Sequence, residues 1–212
     1  MEISNPVQSG EFDIVEIELI EATPETLTGY GELVDDPQEH AVEICVWPRP
    51  GWRPIDPGTG NEGGTTEGTF HFWWDEYGVY RGANEAVNDR YVLGFSQPNG
   101  EPETSRVGLR TAVYLWHANY HPDGGQLFYP REKCPFVAPL ALPGEDVRPE
   151  DFKAFYFDGS SGLYIHPNVW HEAMFLVEGQ GEFFDKQGKV HARISIDFRQ
   201  EFKCLLKAPL TL

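Results

Sequence analysis

Four of the chain's seven histidines fall in two short stretches. The first runs Trp116-His117-Ala118-Asn119-Tyr120-His121-Pro122-Asp123-Gly124-Gly125-Gln126. The second runs Gly162-Leu163-Tyr164-Ile165-His166-Pro167-Asn168-Val169-Trp170-His171. Imidazole suits proton transfer near neutral pH, and its neutral form is also a common metal ligand. If the first stretch is extended, residues 117, 119 and 121 share one face, because side chains alternate along a strand. Asp123-Gly124 is a hairpin signal, and Gln126 on the returning strand then points into the same space. Tyr164 and His166 share a face in the second stretch, and His171 follows a Pro-Asn turn. The candidate catalytic set is therefore His121, His171 and Gln126. Tyr164, Asn119 and His117 stand beside it as candidate substrate contacts.

The other histidines read differently. His40 and His191 are taken as structural. His71 sits among Phe70, Phe72, Trp73 and Trp74, where aromatic packing is the default. The alternative is that His71 and Trp73 form the apolar wall of a substrate pocket. Glu172 follows His171 directly. In a continuing strand it points to the opposite face and reads as surface.

These groups need a scaffold of short strands. Strands are expected at 12–20, 42–47, 70–74, 91–95, 110–119, 126–129, 152–157, 163–166, 174–177 and 191–198, the last alternating with Ile194, Ile196 and Phe198 on one face. Thr23-Pro24-Glu25 looks like a helix start that Gly29 or Gly31 ends. Residues 48–68 are rich in Pro and Gly without periodicity, and a long irregular loop is expected there. No βαβ rhythm is present, so the expected class is an all-β antiparallel barrel or sandwich with a few short helices. The 212 residues suit a single domain over 1–212.

Composition narrows the function classes. The net charge of −18 repels phosphate backbones and anionic lipid, so neither nucleic acid nor a membrane surface is an expected partner. An anionic small molecule would need a local positive patch. Cys45, Cys134 and Cys204 are three, far apart and without a CxxC pair, which fits a reducing cytoplasm better than a disulfide framework. Met1-Glu2-Ile3-Ser4 lacks the character of a signal peptide. The longest mostly apolar run, 136–143, is too short to span a bilayer and contains prolines.

The two histidine stretches echo the cupin scheme, in which histidines and a carboxylate from separate strands surround a metal. The matching positions are Asn119, His121, Gln126 and His171. Two of the four are amides, which are weak neutral ligands, so the expectation is no firm metal site. A loosely held divalent ion (Mn, Ni or Zn) on His121, Gln126 and His171 stays open as an alternative.

The resemblance then becomes more specific. His121-Pro122-Asp123-Gly124-Gly125-Gln126, followed by Phe128 and Pro130, resembles the His-Pro-x-Gly-x-Gln segment of the ureidoglycolate lyase family. Residues 162–171 resemble that family's second signature, and Thr28-Gly29-Tyr30-Gly31-Glu32-Leu33-Val34 its opening Tyr-Gly-Glu segment. The similarity is best over 110–200 and weak over 35–110. Two departures stand out: the family pattern has an acidic residue at the position of Asn119, and often a histidine at that of Glu172. The resemblance implies a cupin-like double-stranded β-helix, a homodimer, and a non-redox lyase that releases urea from ureidoglycolate and leaves glyoxylate. It implies His121 or His171 as base, or as a metal ligand if a metal is bound. His166 joins the candidate catalytic set mainly on this resemblance. His166 and Tyr164 would supply the acid or orient the substrate, and Gln126 would bond a substrate oxygen.

Two competing functions remain at this level. One is a related isomerase or condensing enzyme acting on a larger substrate, with Trp52, Trp73 and Trp74 making a roomier pocket. The other is a cupin that binds a small molecule without turnover. Dioxygenase chemistry is disfavoured, because it calls for two histidines and a carboxylate where this chain has amides.

Overall fold

The computed structural model describes residues 6–45, 51–60, 62–96 and 110–212. In chain order the strands are β1 (Asp13–Glu16), β2 (Glu18–Glu21), β3 (Gly31–Val34), β4 (Glu62–Trp74), β5 (Val79–Asn84), β6 (Asp89–Phe95), β7 (Ala112–Leu115), β8 (His117–Tyr120) and β9 (Gln126–Pro130). There follow β10 (Phe136–Ala141), β11 (Lys153–Phe157), β12 (Gly162–Ile165), β13 (Trp170–His171), β14 (Phe175–Leu176), β15 (Gln180–Val190), β16 (Ile194–Asp197) and β17 (Cys204–Pro209). The helices are short: α1 (Pro6–Ser9), α2 (Phe198–Glu201) and one 3-10 turn over Pro149–Asp151. The expected all-β class holds.

The strands form two sheets. One runs β1-β17-β7-β6-β5-β4-β15-β9-β12-β3, and the other runs β16-β8-β13-β10-β11-β2, with β14 also paired to β10. A large core fills the space between them, with Phe70, Phe72, Tyr80, Phe128, Phe136, Phe155, Phe175 and Phe183 all buried, and Val34, Leu127 and Tyr164 form a second, small cluster. The arrangement is consistent with a cupin-like barrel. It is not purely antiparallel, because β1 pairs β17 and β2 pairs β11 in parallel.

Corners are made where one extended stretch changes sheets. The N-terminal strand does so at Ile17, which is buried between β1 and β2. The stretch 110–119, expected as one strand, does so at Trp116. There β7 leaves the larger sheet and β8 enters the smaller one. The Asp123-Gly124 turn is a third crossing and corrects the expected hairpin. β8 pairs with β13 and β16, whereas β9 pairs with β12 and β15. The turn is pinned from outside: Cys45 N–H donates to the Asp123 carbonyl, and Gly125 N–H to the Glu43 carbonyl.

Three other expectations change. Residues 62–68 are strand rather than loop, because β4 pairs with β15 from Glu62 opposite Val190 to Trp73 opposite Gln180. Gly68 there admits a close neighbour: a Cβ would lie 2.6 Å from the Ala86 nitrogen. The helix expected near Thr23 is only a turn, closed by Leu27 N–H donating to the Thr23 carbonyl. Gly29, at φ +86°, stops it before helix propagation can repay nucleation. Of the strand expected at 42–47, Ile44 makes an isolated bridge to Gly124, and residues 46–47 lie outside the described residues.

Candidate active site

A cavity of about 280 Å³ opens between the sheets, and its lining includes His117, Asn119, His121, Gln126, His171, Glu172, Gln187 and Arg193. The alternation of β8 explains the first three. Ala118 and Tyr120 turn into the core, so His117 and Asn119 face the cavity, and His121 continues their side just past the strand. β13 lies alongside, with His171 opposite Asn119 in register. The crossing at Asp123-Gly124 brings Gln126 in from the other sheet. His121, Gln126 and His171 are thus gathered as expected, but by strands of two sheets.

Backbone carbonyls set the two imidazoles. His121 donates Nδ1–H to the Ala192 carbonyl at 3.0 Å, and His171 donates Nδ1–H to the Val169 carbonyl at 2.8 Å. A carbonyl only accepts, so the proton sits on Nδ1 and Nε2 is the acceptor on each ring. The ring centroids are 5.1 Å apart. Burial lowers the pKa of His171, and that of His121 well below the usual histidine range, where the neighbouring His191 and His171 also oppose a charge. Both rings are neutral bases at neutral pH.

Gln126 is held from behind. Its amide donates from Nε2 to Asp185 Oδ1 at 2.7 Å and to Gln187 Oε1 at 2.9 Å. Asn84 donates to the other Asp185 oxygen at 2.9 Å. Asp185 is fully buried, and burial raises its carboxyl pKa to about 6. The sequence reading missed Asp185, Gln187 and Asn84, since a buried Asp in a strand looks no different in sequence from a surface one.

It also missed Glu172 and Arg193. The expectation that Glu172 points to the far face fails because β13 ends at His171, so strand alternation ends with it. Glu172 Oε2 lies 2.8 Å from His117 Nδ1. Arg193 is the arginine of the cavity lining and is ion-paired with Asp56. Its Nε donates to Asp56 at 2.8 Å, leaving the terminal nitrogens unpaired among the described residues.

Four expected contacts lie elsewhere. Ile165 is the register partner of Gln126 and shares its face, which turns Tyr164 and His166 to the opposite one. There the Tyr164 hydroxyl accepts from Glu43 N–H, and His166 pairs with Glu32 at 3.4 Å. On β4, Phe70 and Phe72 take the core face, so His71 and Trp73 face outward. They line a separate cleft with Arg131, Lys133 and Glu182, and His71 sits between Glu85 at 3.1 Å and Glu182 at 3.3 Å.

The donor set does not fit a tightly held metal. Among the described residues, no three His, Cys, Asp or Glu side chains come together as a metal-holding group. His121 and His171 would share an ion with the Gln126 amide oxygen, a weak neutral ligand.

His191 packs edge-on against His121, centroids 4.1 Å apart, and burial holds its pKa down at about 3. This gives a pH expectation. Below its ordinary value of 6.5 the unfolded histidine takes up a proton, while the folded one stays neutral until about 3. Stability is therefore lost as pH falls through that window. Asp185 acts oppositely: folded at about 6 against an ordinary 3.8, its contribution grows as pH falls between those values. Against the buried His121, His171 and His191 it is outnumbered, and acidification should cost on the order of a few kcal/mol. Melting temperature against pH for wild type and His191→Gln checks this. The variant should lose less stability below pH 6, and an identical slope would refute the account.

What the fold and site define is an all-β protein with a small, histidine-lined cavity. Residues 105–195 match the family model described as ureidoglycolate lyase. Relatives named ureidoglycolate lyase include one from Azotobacter vinelandii, 34% identical over 70 residues, covering 32% of this chain and 42% of the relative. Another, from Pseudomonas savastanoi pv. phaseolicola, is 32% identical over 104 residues, covering 48% of this chain and 56% of the relative. One from Burkholderia cepacia is 26% identical over 120 residues, covering 55% and 65%. The chain thus spans about half the length of the curated relatives it matches. The similarity to ureidoglycolate lyases is concentrated in residues 105–195.

Proposed function

We propose that the chain is a non-redox carbon–nitrogen lyase that cleaves ureidoglycolate into urea and glyoxylate. The observation that carries this reading is the convergence, in one small cavity, of two neutral Nε2 acceptors, a fixed amide and an arginine. Ureidoglycolate is a carbinolamide with a carboxylate. Its C–N bond breaks when a base removes the hydroxyl proton and the departing nitrogen gains one. His121 or His171 takes the hydroxyl proton through Nε2. Both Gln126 amide hydrogens are committed to Asp185 and Gln187, so Gln126 presents Oε1 as an acceptor for a substrate N–H or O–H, rather than donating to a substrate carbonyl or carboxylate oxygen as expected. Arg193 receives the carboxylate against the repulsion of the acidic surface. The cavity's small volume and the outward turn of Trp73 favour this substrate over a larger one.

The decisive experiment is a turnover assay with ureidoglycolate, run as purified, with chelator, and with added Mn²⁺, Ni²⁺ or Zn²⁺. Release of urea and glyoxylate supports the reading, and no release under any condition defeats it. Within that assay, Arg193→Ala should raise KM by roughly 10–100-fold with a smaller change in kcat, since a charge-assisted bond contributes about 1.5–3 kcal/mol. An unchanged KM would remove Arg193 from the carboxylate site.

A further inference from the structure

The cavity holds a second proton-handling group of a different kind. His117 Nδ1 meets not a carbonyl but the Glu172 carboxylate, at 2.8 Å. The His117 side chain is about a third exposed, at 31%, while Glu172 is 10% exposed. Other charged or titratable groups flank the pair. Asp197 is the register partner of His117 on β16, Arg199 on α2 lies over the adjacent Trp116, His171 shares β13 with the start of the Glu172 segment, and Arg193 lines the same cavity. Asp197 is committed to Arg199 and to the backbone at the start of α2. Glu172 is therefore the carboxylate bonded to His117, and its charge also reaches His171.

The difference in partner divides the labour. A carboxylate on Nδ1 fixes the ring and compensates a positive charge on it; a backbone carbonyl fixes the ring with far less compensation. His121 and His171 thus present acceptors held by carbonyls, and His117 alone of the three has a carboxylate bonded to its ring.

We infer that His117, positioned by Glu172, is the general acid that protonates the departing nitrogen. This rests on the lyase reading above. In the step, Nε2 of His121 or His171 takes the hydroxyl proton and the oxygen's electron pair closes the new C=O bond. The C–N pair leaves with the urea nitrogen, which takes the proton from His117 Nε2. One proton is taken, one is given, and nothing is oxidised. The partly exposed His117 then regains a proton from water, and the base returns its own.

The test measures kcat and KM for ureidoglycolate with wild type, His117→Gly, Glu172→Gln and Glu172→Asp. His117→Gly should lose about 10²–10⁴-fold in kcat with KM little changed, and added imidazole should restore part of the lost rate. Glu172→Gln, which keeps shape and removes charge, should lower kcat roughly tenfold or more, with Glu172→Asp recovering part of it. A His117→Gly enzyme with wild-type kcat, or one that folds but gains nothing from imidazole, would overturn the inference. So would a Glu172→Gln enzyme indistinguishable from wild type. Absence of turnover in the wild type is a separate result: it fails the lyase reading itself, before any variant is compared.

Discussion

Replacing His121 or His171 with alanine is expected to cut turnover of ureidoglycolate by about 10²–10⁴-fold, the usual contribution of a positioned proton-transfer group. The two rings present the same chemical face, an Nε2 acceptor with Nδ1–H tied to a backbone carbonyl. They also lie side by side. If both act on the single proton of the hydroxyl, the losses will not multiply, and the double variant will be about as slow as the worse single one. The ring with the larger single loss is then the base. His166→Ala is the matched control: this histidine pairs with Glu32 on the opposite face of β12, and its loss should leave kcat and KM near wild type. Either cavity variant keeping more than half its activity would remove that ring from the chemistry. A His166 variant as slow as the other two would show that the cavity between the sheets is not where the reaction occurs.

That contrast shows how far the sequence can be read. Alternation correctly grouped residues 117, 119 and 121, because β8 is a regular strand with one face on the cavity. The same rule misplaced Tyr164 and His166. It says which residues share a face, not which face meets the cavity, and that is decided by the register of Ile165 opposite Gln126. Glu172 was misread for a related reason: the period-two rule was carried past the end of a two-residue strand. Asp123-Gly124 has the chemistry of a hairpin turn, but its flanking strands find partners in different sheets, a choice made by long-range pairing.

The scaffold was legible where burial is one-sided. β16 alternates and was found. β10 is buried at every position and contains Pro139, so it shows neither alternation nor freedom from proline, the two signs by which a strand is sought. The run was noted only as too short to span a membrane. Glycine misled similarly at Gly63, Gly64 and Gly68, where it reads as loop but belongs to a long paired strand. The buried polar row of Asn84, Asp185, Gln126 and Gln187 left no local trace, because its members come from three strands, β5, β9 and β15, that are far apart in sequence.

That row sets the second large effect. Asp185→Ala is expected to destabilise the fold by about 3–5 kcal/mol, lowering the melting temperature by on the order of 10 °C in a domain of this size. The deletion strips an acceptor from Asn84 and from Gln126, leaving buried amide donors unsatisfied, each at a cost of about 1–3 kcal/mol. It also frees the Gln126 amide to turn, so kcat should fall even where the protein remains folded. Asp185→Asn separates charge from shape. The amide keeps one acceptor oxygen but sets an NH₂ against a donor, so it too is destabilising. The wild-type carboxyl, with its pKa raised to about 6 by burial, is ionised at pH 7 and protonated at pH 5. Ionisation therefore costs the wild type stability at pH 7 that it regains on acidification, whereas the asparagine variant has no such term. The stability gap between wild type and Asp185→Asn should widen by roughly 1–3 kcal/mol from pH 7 to pH 5. Urea denaturation at the two pH values measures it. A gap that narrows would mean that the carboxylate is stabilised where it lies, by charges that outweigh its burial.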